Sequence, residues 1–171
     1  MTASRDCRLY LLTPPAFEPA AFADTLARAL DAGDVACLQI RLKDVPDDQV
    51  RRAIERLLPV AQSRNVAVLI NDRPDLAAEM GADGAHTGQD DMDQPKAPKI
   101  MGPNATLAVP PYDSAHRPMV VAGDGADYGA FGAFFPPPPK ERPGRPGRAL
   151  LHGRQALMEV PGVSIGGAVA A

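Results

Sequence analysis

The sequence is short of most features that announce a function. Two cysteines, Cys7 and Cys37, are all that 171 residues contain. That is too few for the disulfide framework of a small secreted domain, and the plain reading is two reduced, buried thiols in a cytoplasmic protein. No cluster of Cys and His has metal-ligand spacing, which argues against a zinc site. No apolar run approaches the roughly 18 residues of a transmembrane helix. The opening "MTASRDCRLYLLTPP" carries an apolar patch that stops at prolines, without the shape of a signal peptide. The formal net charge is −3, too little of either sign for a nucleic-acid or membrane footprint. No G-x-G-x-x-G follows the first apolar run, which weakens a dinucleotide-binding reading.

What is present is a repeat of short apolar runs separated by amphipathic ones. Hydrophobic residues make up 45% of the chain, enough for one core, so residues 1–171 are read as a single domain. The runs "RLYLLT", "VACLQIRL", "VAVLI", "GAH", "TLAV", "YGAFGAFF" and "GVSIGG" are seven strand candidates. The periodicity predicts helices over Pro19–Ala32, with Phe22, Leu26 and Leu30 on one face, and over Asp47–Arg64, with Val50, Ile54, Leu57, Leu58 and Ala61. Three joints, "DAGDVACLQ", "EMGADGAHTG" and "GDGADYGAFG", put a glycine at a helix end, an Asp next and a strand after it. Glycine suits the left-handed residue that closes a helix. A helix-to-strand joint used three times implies repeated βα units and a parallel sheet. Seven strands at spacings of roughly 20 to 35 residues favour a (β/α)8 barrel of the TIM type over a doubly wound sheet. Such barrels typically need ~250 residues. The expectation is therefore a barrel cut short after strand seven, with strands one and seven left as open edges that a homo-oligomer could cover.

In "LQIRLK", Gln39, Arg41 and Lys43 alternate with apolar residues and so share one side of a strand. In a barrel that side is the interior, where two cations are costly unless something anionic meets them. "LINDRPD" ends strand three with Asn71 and Asp72, and "HTGQDDMD" follows strand four with Gln89, Asp90 and Asp91. Both leave the C-terminal ends of adjacent strands, the face where barrel active sites sit. Carboxylates there with cations on the next strand suit Mg²⁺ and a phosphorylated substrate. His86, at a strand end, reads as a hydrogen-bonded structural residue before a catalytic base, and His116 and His152 read as surface residues.

The segments "LQIRLKD", "LINDRPDLAAEMGADGAHTGQDDM", "GADYGAFGAFFPPPPK" and "VSIGG" resemble the thiamine phosphate synthases, a family of (β/α)8 enzymes, from about residue 8 to 167. The resemblance implies a transferase of thiamine biosynthesis that joins hydroxymethylpyrimidine diphosphate to thiazole phosphate and releases pyrophosphate. It implies that Gln39, Arg41, Lys43 and Asn71 hold the pyrimidine diphosphate and that Asp72 and Asp91 bind Mg²⁺. Lys140 would contact the diphosphate and Gly167 the thiazole phosphate. The reaction implied is a dissociative loss of pyrophosphate, so Arg41 and Lys140 are the candidate catalytic groups, stabilising charge on the leaving group. Partners are then small molecules, with no nucleic acid and no membrane.

The departures from the family pattern are mostly prolines. Nineteen are present, concentrated after residue 90. Where the family has Pro-Thr-x-Thr-Lys after strand six, this chain has Pro136-Pro137-Pro138-Pro139-Lys140. Lys140 is kept, but Pro137 and Pro139 stand in place of two hydroxyls and offer a phosphate neither O–H nor N–H. Ala108-Val109-Pro110 replaces Gly-Val-Ser after strand five. Pro95 and Pro98 interrupt the segment where the fourth helix belongs, and Pro118 falls early in the fifth. Impaired turnover follows from these changes. The alternatives are a non-catalytic pyrimidine-diphosphate-binding paralogue or decayed duplicate, and a thiazole tautomerase, which would need a histidine near "VPPYDS". The tract "PPPPKERPGRPGR" could also be a polyproline ligand, although a loop between strand six and helix six is preferred.

Overall fold

The structure is a computed structural model that describes residues 7–87, 97–109, 127–131 and 162–164. Seven strands are β1 (Leu9–Leu12), β2 (Val35–Ile40), β3 (Ala67–Asn71), β4 (Gly84–His86), β5 (Thr106–Val109), β6 (Tyr128–Phe131) and β7 (Gly162–Ser164). Among the described residues four helices accompany them: α1 (Pro19–Ala32), α2 (Asp47–Gln62), α3 (Pro74–Met80) and α4 (Ala97–Met101). Every strand pair is parallel, and the order across the sheet is the order along the chain, β1 to β7. A doubly wound sheet would reverse direction at a switch point. Among the described strands there is no such reversal.

The sheet is strongly curled. The Tyr10 hydroxyl on β1 lies 2.8 Å from the Tyr128 hydroxyl on β6. In a flat sheet five strand spacings would put those strands roughly 24 Å apart. Strand parity then sorts the side chains. Leu38 and Ile40 of β2, and Val68 and Ile70 of β3, pack outward into the main core with Leu26, Leu30, Ile54, Leu57 and Leu76 of the helices. The opposite parity points inward, where Leu69 and Tyr128 pack with Tyr10, Cys37 and Val163. Cys7 is exposed and Cys37 half-buried, so the expectation of two buried thiols fails.

The helices follow their sequence signals. Glu18 caps α1, its carboxylate accepting from the N–H groups of Ala20 and Ala21 at 3.1 and 2.7 Å, with Pro19 in the first turn. α2 buries Val50, Ala53, Ile54, Leu57 and Ala61. Leu58 is only half-buried. Pro59 sits inside α2 on its exposed side, where it gives up one ladder hydrogen bond. α4 has five residues with Pro98 second, so that proline falls in a first turn rather than mid-helix. Pro95 lies outside the described residues. Among those residues, no helix is long and apolar enough to cross a membrane.

The repeated glycine–Asp joint has a different cause from the one the sequence suggests. Gly81 closes α3 in the left-handed region, at φ 71°, but Gly33 after α1 is extended. At two of the three joints the shared element is the Asp. Asp83 accepts the Val68 N–H at 2.8 Å, and Asp127 accepts the Leu107 N–H at 2.8 Å, each carboxylate tying its strand to the start of the preceding one. Asp34, at the first joint, pairs instead with Arg8 at 2.8 Å. Gly84 is required for a separate reason. A Cβ there would lie 1.8 Å from the Thr106 carbonyl oxygen, so β4 and β5 can pair this closely only without one.

Candidate functional site

The C-terminal mouth of the curled sheet is lined by polar groups that its inward parity delivers. Gln39 and Asn71 are buried, with 2% and 8% of their surface exposed. The Gln39 Nε2 donates to Asn71 Oδ1 at 2.6 Å, and Asn71 Nδ2 donates to the Asp72 carboxylate. On its other side, Gln39 Oε1 accepts from the Tyr10 hydroxyl at 3.1 Å. The Tyr10 hydroxyl meets that of Tyr128, and the Tyr128 hydroxyl lies 3.1 Å from His86 Nδ1. Five strands, β1, β2, β3, β4 and β6, thus contribute to one connected hydrogen-bond chain, which ends on the residue just past β3.

Local backbone aims the end of that chain. Asp72 adopts φ 59°, uncommon outside glycine, and its N–H donates to the His86 carbonyl at 2.8 Å. The chain leaves the extended conformation at Asp72 while its backbone stays tied to β4. Arg41 and Lys43 are not on β2 as the alternation implies, because the strand ends at Ile40. Thr13 redirects the chain there. Its N–H donates to the Gln39 carbonyl at 3.0 Å and its buried hydroxyl accepts the Arg41 N–H at 2.9 Å. Arg41 is half-buried and close enough to His86 to act on it electrostatically, whereas Lys43 is exposed on the connection. Gln39, Asn71 and Asp72 are therefore brought together, with Arg41 near His86 and Lys43 exposed on the connection. Asp91, Lys140 and Gly167 lie outside the described residues, as do Gln89, Asp90, Pro110, His116, Pro118, Pro136–Pro139 and His152.

A family model described as thiamine monophosphate synthase matches residues 9–171. A thiamine-phosphate synthase of Rhodospirillum centenum is 56% identical over 95% of this chain and 78% of its own length. One from Hyphomonas neptunium is 44% identical over 94% of this chain and 75% of its own. The chain belongs to the thiamine monophosphate synthase family. The solved thiamine phosphate pyrophosphorylase from Pyrococcus furiosus superposes with a TM-score of 0.79 at 26% identity, covering 94% of this chain and 75% of that one. This member of the family therefore shares its parallel α/β architecture with a solved relative.

Electrostatics divide the site of this synthase-family chain into a neutral interior and a charged mouth. Burial raises the hydroxyls of Tyr10 and Tyr128 above the ordinary tyrosine range, so both keep their protons at neutral pH. Burial also pushes the Cys37 thiol up to about 12. His86 is held below the usual imidazole value, first by burial and then by the Arg41 charge, and is neutral at pH 7. At the rim, Arg73 forks onto Asp47 and Asp75, at 2.9 and 2.7 Å for its Nη2. Its charge is committed to joining the β3–α3 turn to the start of α2. Tyr10, Tyr128, Thr13 and Arg73 carry no role in the sequence reading. A signal was available for the tyrosines: each stands at an inward-parity position of an otherwise apolar strand, and a buried hydroxyl requires a partner.

Proposed function

We propose that this chain transfers a hydroxymethylpyrimidine group from its diphosphate to thiazole phosphate, giving thiamine phosphate and pyrophosphate. The observation that carries this reading is the continuous Gln39–Asn71–Asp72 hydrogen-bond chain at the sheet mouth, with half-buried Arg41 close enough to act electrostatically on His86 of the adjoining strand. Carboxamides bind neutral heterocycle edges, and a guanidinium grips a diphosphate. Loss of pyrophosphate from a carbon asks the protein mainly to hold the charge of the leaving group, and Arg41, Lys43 and Lys140 are the cations assigned to it.

Mg²⁺ fits the donor set. Among the described residues no group of three or more His, Cys, Asp or Glu is placed to hold a metal. Magnesium, however, uses only one or two protein carboxylates and completes its shell with water and phosphate oxygens. Asp72 and Asp91 would hold it, and when bound it would neutralise diphosphate charge. A barrel of the (β/α)8 type belongs to the same reading, supported by the curl that brings β1 to β6 and by the consecutive strand order. So do a single domain over 1–171, a cytoplasmic location suited to small diffusible substrates, and a homo-oligomer.

The prolines support a second reading, a binder of pyrimidine diphosphate without turnover, because Pro137 and Pro139 have no donors for the second substrate. One assay separates the two. Both substrates are mixed with Mg²⁺ and thiamine phosphate is measured. Product above background that falls at least about tenfold in Asn71→Ala supports the transferase. Binding of the pyrimidine diphosphate without product, unchanged by Pro137→Thr with Pro139→Thr, supports the second reading.

A further inference from the structure

The hydrogen-bond chain inside the sheet has a direction, and that direction can be read from one end. A carboxylate only accepts. Asp72 therefore faces the N–H of Asn71, which leaves Asn71 Oδ1 pointing at Gln39. Gln39 must meet it with an N–H, so its own Oε1 is turned to Tyr10. The Tyr10 proton is spent on Gln39, which makes the Tyr10 oxygen an acceptor. Tyr128, 2.8 Å away, must then donate to it. The Tyr128 oxygen is left to accept, and the group beside it at 3.1 Å is His86 Nδ1. Nδ1 must carry the proton. The Cys37 sulfur also lies within hydrogen-bond reach of the Tyr10 hydroxyl, but it is the weaker acceptor, so the Tyr10 proton stays with Gln39 and the remaining orientations follow from the acceptor at the foot of the chain.

We propose that Tyr10 and Tyr128 are positioning residues that lock His86 in its Nδ1–H tautomer, so that Nε2 is a fixed acceptor and the site selects a ligand group that donates a hydrogen bond there. The selectivity deepens the proposed function and rests on it, but the tautomer does not. An imidazole free to exchange tautomers meets a donor or an acceptor equally. One locked by a relay rejects the acceptor, because two lone pairs would face each other. The device is also remote. Tyr10 makes no hydrogen bond to His86, yet the argument makes the histidine proton depend on it.

The test is ¹⁵N spectroscopy of the full chain labelled at histidine, recorded above the histidine titration range. The His86 signals are assigned by their loss in His86→Asn. In the wild-type protein Nδ1 is expected to resonate as a pyrrole-type nitrogen and Nε2 as a pyridine-type one, the reverse of the preference of free imidazole. In Tyr10→Phe the Tyr128 hydroxyl loses its acceptor and turns its proton to Nδ1, so the two signals should exchange. Tyr128→Phe should also return the ring to Nε2–H. Each variant keeps its ring, and circular dichroism reports whether it is folded. If Tyr10→Phe does not fold, the wild-type and Tyr128→Phe spectra decide. A wild-type His86 already in the Nε2–H form overturns the proposal, and so does a folded Tyr10→Phe with an unchanged tautomer. Exchange of the signals in a protein that makes no thiamine phosphate would leave the relay standing and remove the reaction assigned to the site.

Discussion

Replacing Gly84 with alanine should cost more than any single contact in the core. The new Cβ would stand 1.8 Å from the Thr106 carbonyl oxygen and 2.7 Å from a Leu69 methyl, where ordinary contact begins at 3.4 Å. Relief by backbone motion alone requires β4 and β5 to part by roughly 1.6 Å, which stretches the 2.8 Å bond from the Thr106 N–H to the Asp83 carbonyl beyond hydrogen-bond length. Two orphaned backbone groups at about 1–3 kcal/mol each, with a further 1–3 kcal/mol of overpacking against Leu69, total about 3–9 kcal/mol. A domain of this size has about 5–15 kcal/mol to lose. Urea unfolding followed by circular dichroism should show Gly84→Ala unfolded or near its midpoint without denaturant. Gly81→Ala is the control. Gly81 has the left-handed φ of 71° but open space around it, so only about 1–2 kcal/mol of strain is expected. A Gly84→Ala protein as stable as Gly81→Ala would refute the close-approach argument.

Two further outcomes follow from polar groups. Asp83→Ala leaves the Val68 N–H without the acceptor it has at 2.8 Å and should cost about 1–3 kcal/mol in urea unfolding, whereas Asp34→Ala, at a joint of the same sequence pattern, removes only an exposed pair with Arg8 and should leave the midpoint nearly unchanged. The Arg73 guanidinium holds the carboxyls of Asp47 and Asp75 below their ordinary 3.8, so their contribution is complete above that pH and is lost as pH falls through the lower folded values. Arg73→Met should therefore begin acid unfolding at a higher pH than the wild-type protein, and superimposable acid curves would contradict this.

Much of the frame was legible because the signals were local. Parity in "VACLQI" placed Gln39 inward and Leu38 outward, and the periodicity of Asp47–Arg64 located α2 to within two residues. The same parity failed one step later. The alternation of Arg41 and Lys43 continues the pattern of β2, but the Thr13 hydroxyl captures the Arg41 N–H and ends the strand, a contact between residues 28 apart that no window of sequence contains. The Tyr10–Tyr128 contact was hidden for the same reason on a larger scale. The left-handed Asp72 was hidden for another: an aspartate at a strand end is equally a cap or a turn residue until the carbonyl of His86 receives its N–H.

The two tyrosine hydroxyls that meet inside the sheet are 118 residues apart along the chain. Closing a flexible segment of that length costs about 4 kcal/mol of chain entropy beyond a constant, while each strand before β6 needs only its immediate predecessor to dock. On the ribosome the first three βα units can therefore consolidate while the Tyr10–Tyr128 contact does not yet exist. The imidazole acquires its tyrosine neighbour only after the sixth strand emerges, so the relay across the sheet is completed late in the life of the nascent chain.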